Sequence, residues 1–234
     1  MFRAKKNLLG VGIYTVPEAS RLTGIPSRSI RRWLVGYTFR HHKKETRMPP
    51  VWRGDLPRVD DKAALSFLDM MEARVINVFR KLGVRWPMLR NVATVASEKF
   101  GTSHPFCTER FRTNGRRIFI DVLDSASGEK SLQDVVTDQT AFKRILDPFL
   151  SGAVEFSPDD VAIRWWPLGQ RRQVVIDPHR SFGQPIVATE GVPTTVLHAA
   201  HKANRSWDAV ASWYGVTPRA VRDAVRFERE IAAA

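Results

Sequence analysis

Among 234 residues there is one cysteine, Cys107, so no disulfide can form within the chain, and a reducing cytoplasm is its expected compartment. Long apolar runs are missing as well. No segment approaches the ~20 apolar residues that span a bilayer, so no membrane partner is expected. The start, MFRAKKNLLGVGIY, has no apolar stretch leading to a small-residue cleavage site. LLGVGIYTV reads instead as a buried strand. No glycine-rich loop is long enough to cradle a phosphate; GVG at 10–12 is too short. Catalytic and metal constellations are also lacking, so no catalytic residue, metal or other cofactor is expected. Asp159-Asp160 after Pro158 reads as a loop or a helix cap. His41-His42, the pair His198 and His201, and Asp177 with His179 lack the further ligands of a metal site. Cys107 has no His or CxxC partner and reads as a small packed hydrophobe.

Acidic side chains are scarce in one half only. Residues 1–123 hold 24 Lys and Arg against 10 Asp and Glu, whereas residues 124–234 hold 13 against 14. The whole net charge of +13 therefore lies in the first half. A polyanion such as duplex DNA would be attracted to that half through phosphate contacts and counterion release. The neutral half is better suited to holding a protein.

What is present in abundance is one short phrase. GIPSRSIR (24–31), GVRWPMLR (83–90) and GVTPRAVR (215–222) share a Gly, a β-branched neighbour, an aliphatic residue six positions on and then Arg. Ser20, Phe79 and Ala211 stand four positions before each Gly. This is helix-turn-helix spacing: Gly permits the sharp turn, a small residue lies where the helices cross, and polar residues of the second helix face outward. The first and third copies fit; the second has the bulky Phe79 at the crossing.

Residues 1–39 read as an N-terminal helix-turn-helix. Thr15 is the expected N-cap and Glu18 completes a capping box. Ser27 is expected to cap the second helix and, with Arg28, Arg31 and Arg32, to contact DNA. Ile30, Trp33 and Leu34 should be buried, Arg28, Arg31 and Arg32 should face out, and Gly36 should end the helix. Residues 40–61 read as an irregular basic linker, with Arg40, Lys43 and Lys44 placed on DNA. Residues 62–123 form a second helical unit, with long helices over 62–82 and from Pro87 to about Phe100. Asn114-Gly115, between ERFRT and RRIFIDV, predicts a two-residue hairpin decorated by Arg112, Arg116 and Arg117. That unit is either a winged helix-turn-helix contacting DNA through these arginines or an α+β core with a basic turn. Residues 124–170 read as a connecting helix and strand. Trp165 and Trp166 would point to opposite faces of that strand, one inward and one toward an interface. Residues 171–234 end in three helices, with Ser206 and Thr217 as N-caps. Val221, Val225 and Phe227 exceed what so small a core needs, which predicts a homodimer through this unit. The fold class is mainly α with small β hairpins (α+β), with helix-turn-helix units, one of them winged in the first of the two readings of 62–123, and a C-terminal three-helix domain.

The C-terminal stretch carries a resemblance. Ile176-Asp177-Pro178, Gly183-Gln184-Pro185-Ile186 and Gly191-Val192-Pro193-Thr194 precede Trp207, Val210, Ala211, Tyr214, Val216, Thr217, Val221, Ala224 and Phe227. This resembles a widespread bacterial and archaeal domain of formerly unknown function associated with antitoxins of toxin–antitoxin operons. TVPEASRLTGIPSRSIRRW (15–33) is similar to the first helix-turn-helix of the MerR-type regulators, with Trp33 where Tyr is usual. The whole looks like a long VapB-type antitoxin with an added N-terminal DNA-binding domain. The resemblance implies a non-enzymatic protein that binds and neutralises a PIN-domain ribonuclease toxin of the VapC type and represses its own operon. A standalone dimeric helix-turn-helix regulator is the alternative.

Overall fold

The computed structural model describes residues 9–41, 44–58, 62–125 and 153–233. The protein is mainly helical with small antiparallel β elements. Strand β1 (Tyr14–Thr15) leads directly into α1 (Val16–Thr23) and α2 (Ser27–Val35). Thr15 caps α1: its hydroxyl accepts from the Glu18 N–H at 3.3 Å while the Glu18 carboxylate accepts from the Thr15 N–H at 2.8 Å, the reciprocal pair expected from the sequence. Gly24 then takes φ +66° and turns the chain. Ser20, at the helix crossing, donates its hydroxyl to the Ile25 carbonyl at 2.7 Å.

A hairpin follows, formed by β2 (Tyr37–His41) and β3 (Lys44–Met48), in register from Tyr37↔Met48 to His41↔Lys44. The irregular linker expected over 40–61 is thus partly a β-ribbon; Lys43 lies outside the described residues. Strand β4 (Ala64–Leu65) pairs with β1, and α3 (Phe67–Lys81) starts at a second capping box, Ser66 with Asp69. Helix α4 (Trp86–Phe100), a short 3-10 turn at Pro105–Cys107 and α5 (Glu109–Ser125) complete the middle unit.

Helix α5 corrects the sequence reading at Asn114-Gly115. No hairpin forms there, because the apolar side chains recur at helical rather than alternating spacing. Phe111, Ile118, Phe119 and Val122 fall on one face and are all buried. The rings of Phe111 and Phe119 join those of Phe79 and Phe106 in one cluster, with neighbouring centroids 4.6–6.4 Å apart. Thr108 opens the helix by accepting from the Phe111 N–H at 3.1 Å. Burying four large side chains, worth about 1.5–3 kcal/mol each, outweighs a local turn preference. The one hairpin-like wing among the described residues therefore belongs to the first helix-turn-helix and not to the second.

The second half opens with a four-stranded antiparallel sheet in chain order: β5 (Val154–Phe156), β6 (Ala162–Trp165), β7 (Val174–Ile176) and β8 (Pro185–Val187). Helices α6 (Thr194–Asn204), α7 (Trp207–Tyr214) and α8 (Pro218–Ala233) follow. Ser206 caps α7, and the Thr217 hydroxyl accepts from the Ala220 N–H. The connecting helix expected ahead of the strand in 124–170 falls on residues 126–152, outside the described residues. All three copies of the repeated phrase are helix–turn–helix junctions, with Gly24, Gly83 and Gly215 at positive φ.

One apolar core runs from Tyr14 through the middle helices and the sheet to Phe227. A smaller one joins Val187 and Leu197 to the inner faces of α7 and α8. Within the larger core lies a polar knot. Asp69 is fully buried; it accepts from Trp52 Nε1 at 2.7 Å, the Ser66 N–H at 2.9 Å, His104 Nε2 at 3.0 Å and the Asp55 N–H at 3.2 Å. Burial alone would raise its pKa, but the hydrogen bond and charge of His104 hold the carboxyl below its ordinary range. Burial opposes the charged form of His104, yet Asp69, Glu72 and Asp55 together keep its pKa above the ordinary value. Glu72, one turn along α3, is raised by burial from 4.5 to about 7 and accepts from the Cys107 thiol at 3.2 Å.

A group whose folded pKa is raised contributes stability that is lost as pH climbs from its unfolded to its folded value. Stability is therefore expected to fall between pH 4.5 and 7, where Glu72 ionises in the unfolded chain but keeps its proton in the fold, and further above 6.5, where the unfolded chain releases the His104 proton before the fold does. Replacing Glu72 with Gln removes the first part, roughly 3 kcal/mol. Urea unfolding of both proteins from pH 4.5 to 7.5 checks this. Parallel profiles would contradict it.

Candidate nucleic-acid interface

Helix α2 presents two faces. Ile30, Trp33 and Leu34 are buried, while Arg28, Arg31 and Arg32 are exposed, as their spacing requires. Ser27 is the first helical residue, not the cap. Pro26 occupies the cap position, and no side chain accepts from the first-turn N–H groups. An exposed helix start of this kind, with its positive dipole end open, suits a phosphate.

The hairpin stands beside α2 because its base is held on three sides. Gly36 ends α2 at φ +80°, where a Cβ would lie 2.5 Å from the Met48 carbonyl oxygen. Only glycine lets the two strands close there. Val51 N–H donates to the Trp33 carbonyl at 2.7 Å. Arg90, from α4, donates to the carbonyls of Pro49 and Pro50 at 2.8 and 2.6 Å. The Arg32 guanidinium sits 4.8 Å over the Tyr37 ring, joining the helix face to the first strand. Arg40 and Arg47 are exposed on the ribbon, and Lys44 opens its second strand. A hollow of about 210 Å³ lies where helix, ribbon and α4 meet, with Arg32, Arg80 and Arg90 in its wall.

The structure thus brings Arg28, Arg31, Arg32 and Arg40 onto two adjoining elements. It adds Arg47, which the sequence reading passed over: HHKK carries no Gly or Asn turn signal, so the alternation in KETRM was the available clue. Arg112, Arg116 and Arg117 belong to a different place. They ride on α5, which packs on α4, and Arg112 pairs with Glu109 one turn back.

The proposed interface residues of the second half also move. Val221 and Val225 are buried in the smaller core and Phe227 in the larger one, so the apolar surplus of α8 is spent within the chain. Two cores share that helix, which the sequence could not show. Trp165 is buried, with the Arg74 guanidinium 3.9 Å from its ring. Trp166 is half-buried and donates Nε1 to Glu155 at 2.8 Å. Trp213, near the end of α7, is 62% exposed.

The two ends of the chain meet in a polar seam. Tyr14 donates its phenol to the Gly183 carbonyl at 2.8 Å, and the Ile13 N–H donates to the Phe182 carbonyl. Arg21 of α1 pairs with Glu228 of α8 at 3.3 Å, and Glu228 also accepts from the Thr194 hydroxyl. The N-terminal helix pair is therefore seated on the C-terminal helices.

Asp55, Asp69 and His104 lie with ligand atoms within 4.8 Å of one another, the spacing of a metal site. A cation there would have to displace the hydrogen bonds already described to Asp69 and the one from the Ser66 hydroxyl to Asp55. No helix among the described residues is long and apolar enough to cross a membrane.

Comparison with known proteins adds three findings. Residues 174–227 match the family model described as "Protein of unknown function (DUF433)". A Mycobacterium tuberculosis protein named "Putative antitoxin VapB45" is 30% identical over 92% of this chain and 93% of its own length. The X-ray crystal structure of Rv2018 from the same organism superposes with a TM-score of 0.74 and 29% identity, covering 94% of this chain and all of that one.

The geometry at Gly36 has a measurable consequence. Gly36→Ala should lower stability by about 1–3 kcal/mol and loosen the ribbon, since it adds strain at positive φ to a clash with Met48. Gly101→Ala, also at positive φ but with open space around it, should cost only about 1 kcal/mol. Equal losses in thermal unfolding would show that the close approach does not matter.

Proposed function

This chain belongs to the family of the VapB45 antitoxin, and on that premise we propose that it is the antitoxin of a type II toxin–antitoxin pair. It binds and neutralises a PIN-domain ribonuclease, and it represses its own operon by binding duplex DNA. Its role is binding and not catalysis. The observation that carries the DNA half is the pairing of α2 with a basic ribbon. Arg28, Arg31 and Arg32 face solvent beside an uncapped helix start, and the ribbon with Arg40 and Arg47 is fixed at their side. A recognition helix enters the major groove while the ribbon follows the adjacent backbone. Lys43 and Lys44 are expected to add to the same contact; Arg112, Arg116 and Arg117 would make a separate contact from α5.

The toxin contact is placed in the second half, where Trp166 is half-buried and Trp213 exposed; large aromatics are enriched at the centres of protein interfaces. A two-fold dimer on a palindromic operator is the expected assembly. With Val221, Val225 and Phe227 committed to the cores, the dimer contact must use other residues.

Replacing Arg28, Arg31 and Arg32 together with Ala should weaken operator binding without unfolding the protein. Each lost phosphate contact should lower the salt slope by ~0.9, whereas a lost base contact should relax sequence preference. An unchanged affinity and slope would remove this assignment. For the partner, the full chain co-expressed with the adjacent PIN-type protein should co-purify and suppress cleavage of an RNA substrate. Trp213→Ala should weaken that complex at least tenfold. A standalone regulator would bind DNA and leave the ribonuclease active.

A further inference from the structure

The second half has no excess of positive charge, yet its charges are sorted by depth. Asp177, Asp223 and Glu228 are buried and paired with Arg164, Arg172 and Arg21. Exposed cations also line two neighbouring helices. Arg219, Arg222, Arg226 and Arg229 recur at every turn on the exposed face of α8, spanning about 15 Å at 1.5 Å per residue. Arg219 is held by the Arg171 carbonyl and Asp223, and Arg226 by Glu230. The latter is an exposed pair that costs little to break.

The stripe ends at a hollow of about 500 Å³ between α6 and α8. Its wall is formed by His198, His201, Lys202, Arg205 and Arg229, with no carboxylate among them. His201 is 92% buried and stacked on Trp207, with ring centroids 3.5 Å apart, so its orientation is fixed. Its Nδ1 has no hydrogen-bond partner among the described residues. Clustering the cations Lys202, Arg205 and Arg229 in one wall with no carboxylate among them is unfavourable in the free protein and favourable once an anion is present.

We propose that the α6–α8 hollow and the arginine stripe form a second anion site that binds the phosphodiester backbone of a nucleic acid. A line of charges one helical turn apart fits a polyanion better than it fits an isolated carboxylate of a protein. The stripe also lies on the second helix of a helix-turn-helix, the junction at Gly215. Phosphate contacts from this site would add affinity without sequence preference.

The test uses the full chain in two backgrounds: unaltered, and with Arg28, Arg31 and Arg32 changed to Ala, so that failure of the α2 surface and failure of this site are read separately. Lys202→Ala, Arg205→Ala and Arg229→Ala are combined in each. Fluorescence anisotropy with a random duplex DNA of about 20 base pairs, and with a single-stranded RNA of the same length, distinguishes the two sources of the same chemistry. In both backgrounds the combined variant should lose at least tenfold in affinity for one or both probes at low salt. The salt slope on duplex should drop by roughly 2–3. Inorganic phosphate should compete and shift the His201 ring signals by NMR, and the conservative set K202R/R205K/R229K should restore binding. Unchanged affinity and slope on both probes would overturn the proposal. So would a loss confined to binding of the co-expressed protein partner, which would make the hollow a carboxylate site.

Discussion

The carboxylate of Asp69 is the point on which the first half of the structure is hung. It caps α3, holds the indole of Trp52, fixes the backbone at Asp55 and anchors His104 ahead of α5. Three segments remote in sequence are thereby brought to one buried charge. Removing that charge would leave several donors unsatisfied, each costing about 1–3 kcal/mol. The segment it fixes, 49–55, is also the one that returns from the basic ribbon. The stiffness of the ribbon's base, and so the aim of α2 beside it, is inherited from a polar contact deep in the core.

A second constraint is the depth sorting of charge. In the second half three acids, Asp177, Asp223 and Glu228, are inside, each answered by an arginine, while unanswered cations remain at the surface. Net charge over a segment therefore says little about its surface. The near-neutral count for 124–234 hides an exposed arginine face, because it averages over the whole segment while α8 turns its acids Asp223 and Glu228 inward and four arginines outward. The seam formed by Arg21 and Glu228 applies the same device between the two ends of the chain.

The helix-turn-helix phrase shows how one local solution serves different ends. At Gly24 it frees a polar helix face beside a ribbon. At Gly83 the crossing residue is Phe79, whose ring sits among Phe106, Phe111 and Phe119, and the junction becomes part of the core. At Gly215 the second helix is shared between two cores. The turn is set by spacing and by glycine's tolerance of positive φ, while the use of the outer face is set by what packs around it.

Much of this was decided by local sequence. Glycine positions, capping pairs and 3.6-residue periodicity place α1, α2 and α8 within a residue or two, and put Arg28, Arg31 and Arg32 on an open face, because each rests on contacts spanning four residues or fewer; the helix read over 62–82 starts five residues late, at Phe67. What only the tertiary structure decided rests on contacts between distant residues. Asn114-Gly115 lies inside a helix because aromatic rings from α3 and the 3-10 turn await Phe111 and Phe119. Residues 37–41 and 44–48 pair as a ribbon because Trp33, Arg90 and Gly36 hold its base. Val221, Val225 and Phe227 are core because two cores meet at α8. The cationic hollow exists because α6 and α8 bring His198 and Arg229 together across 30 residues of chain.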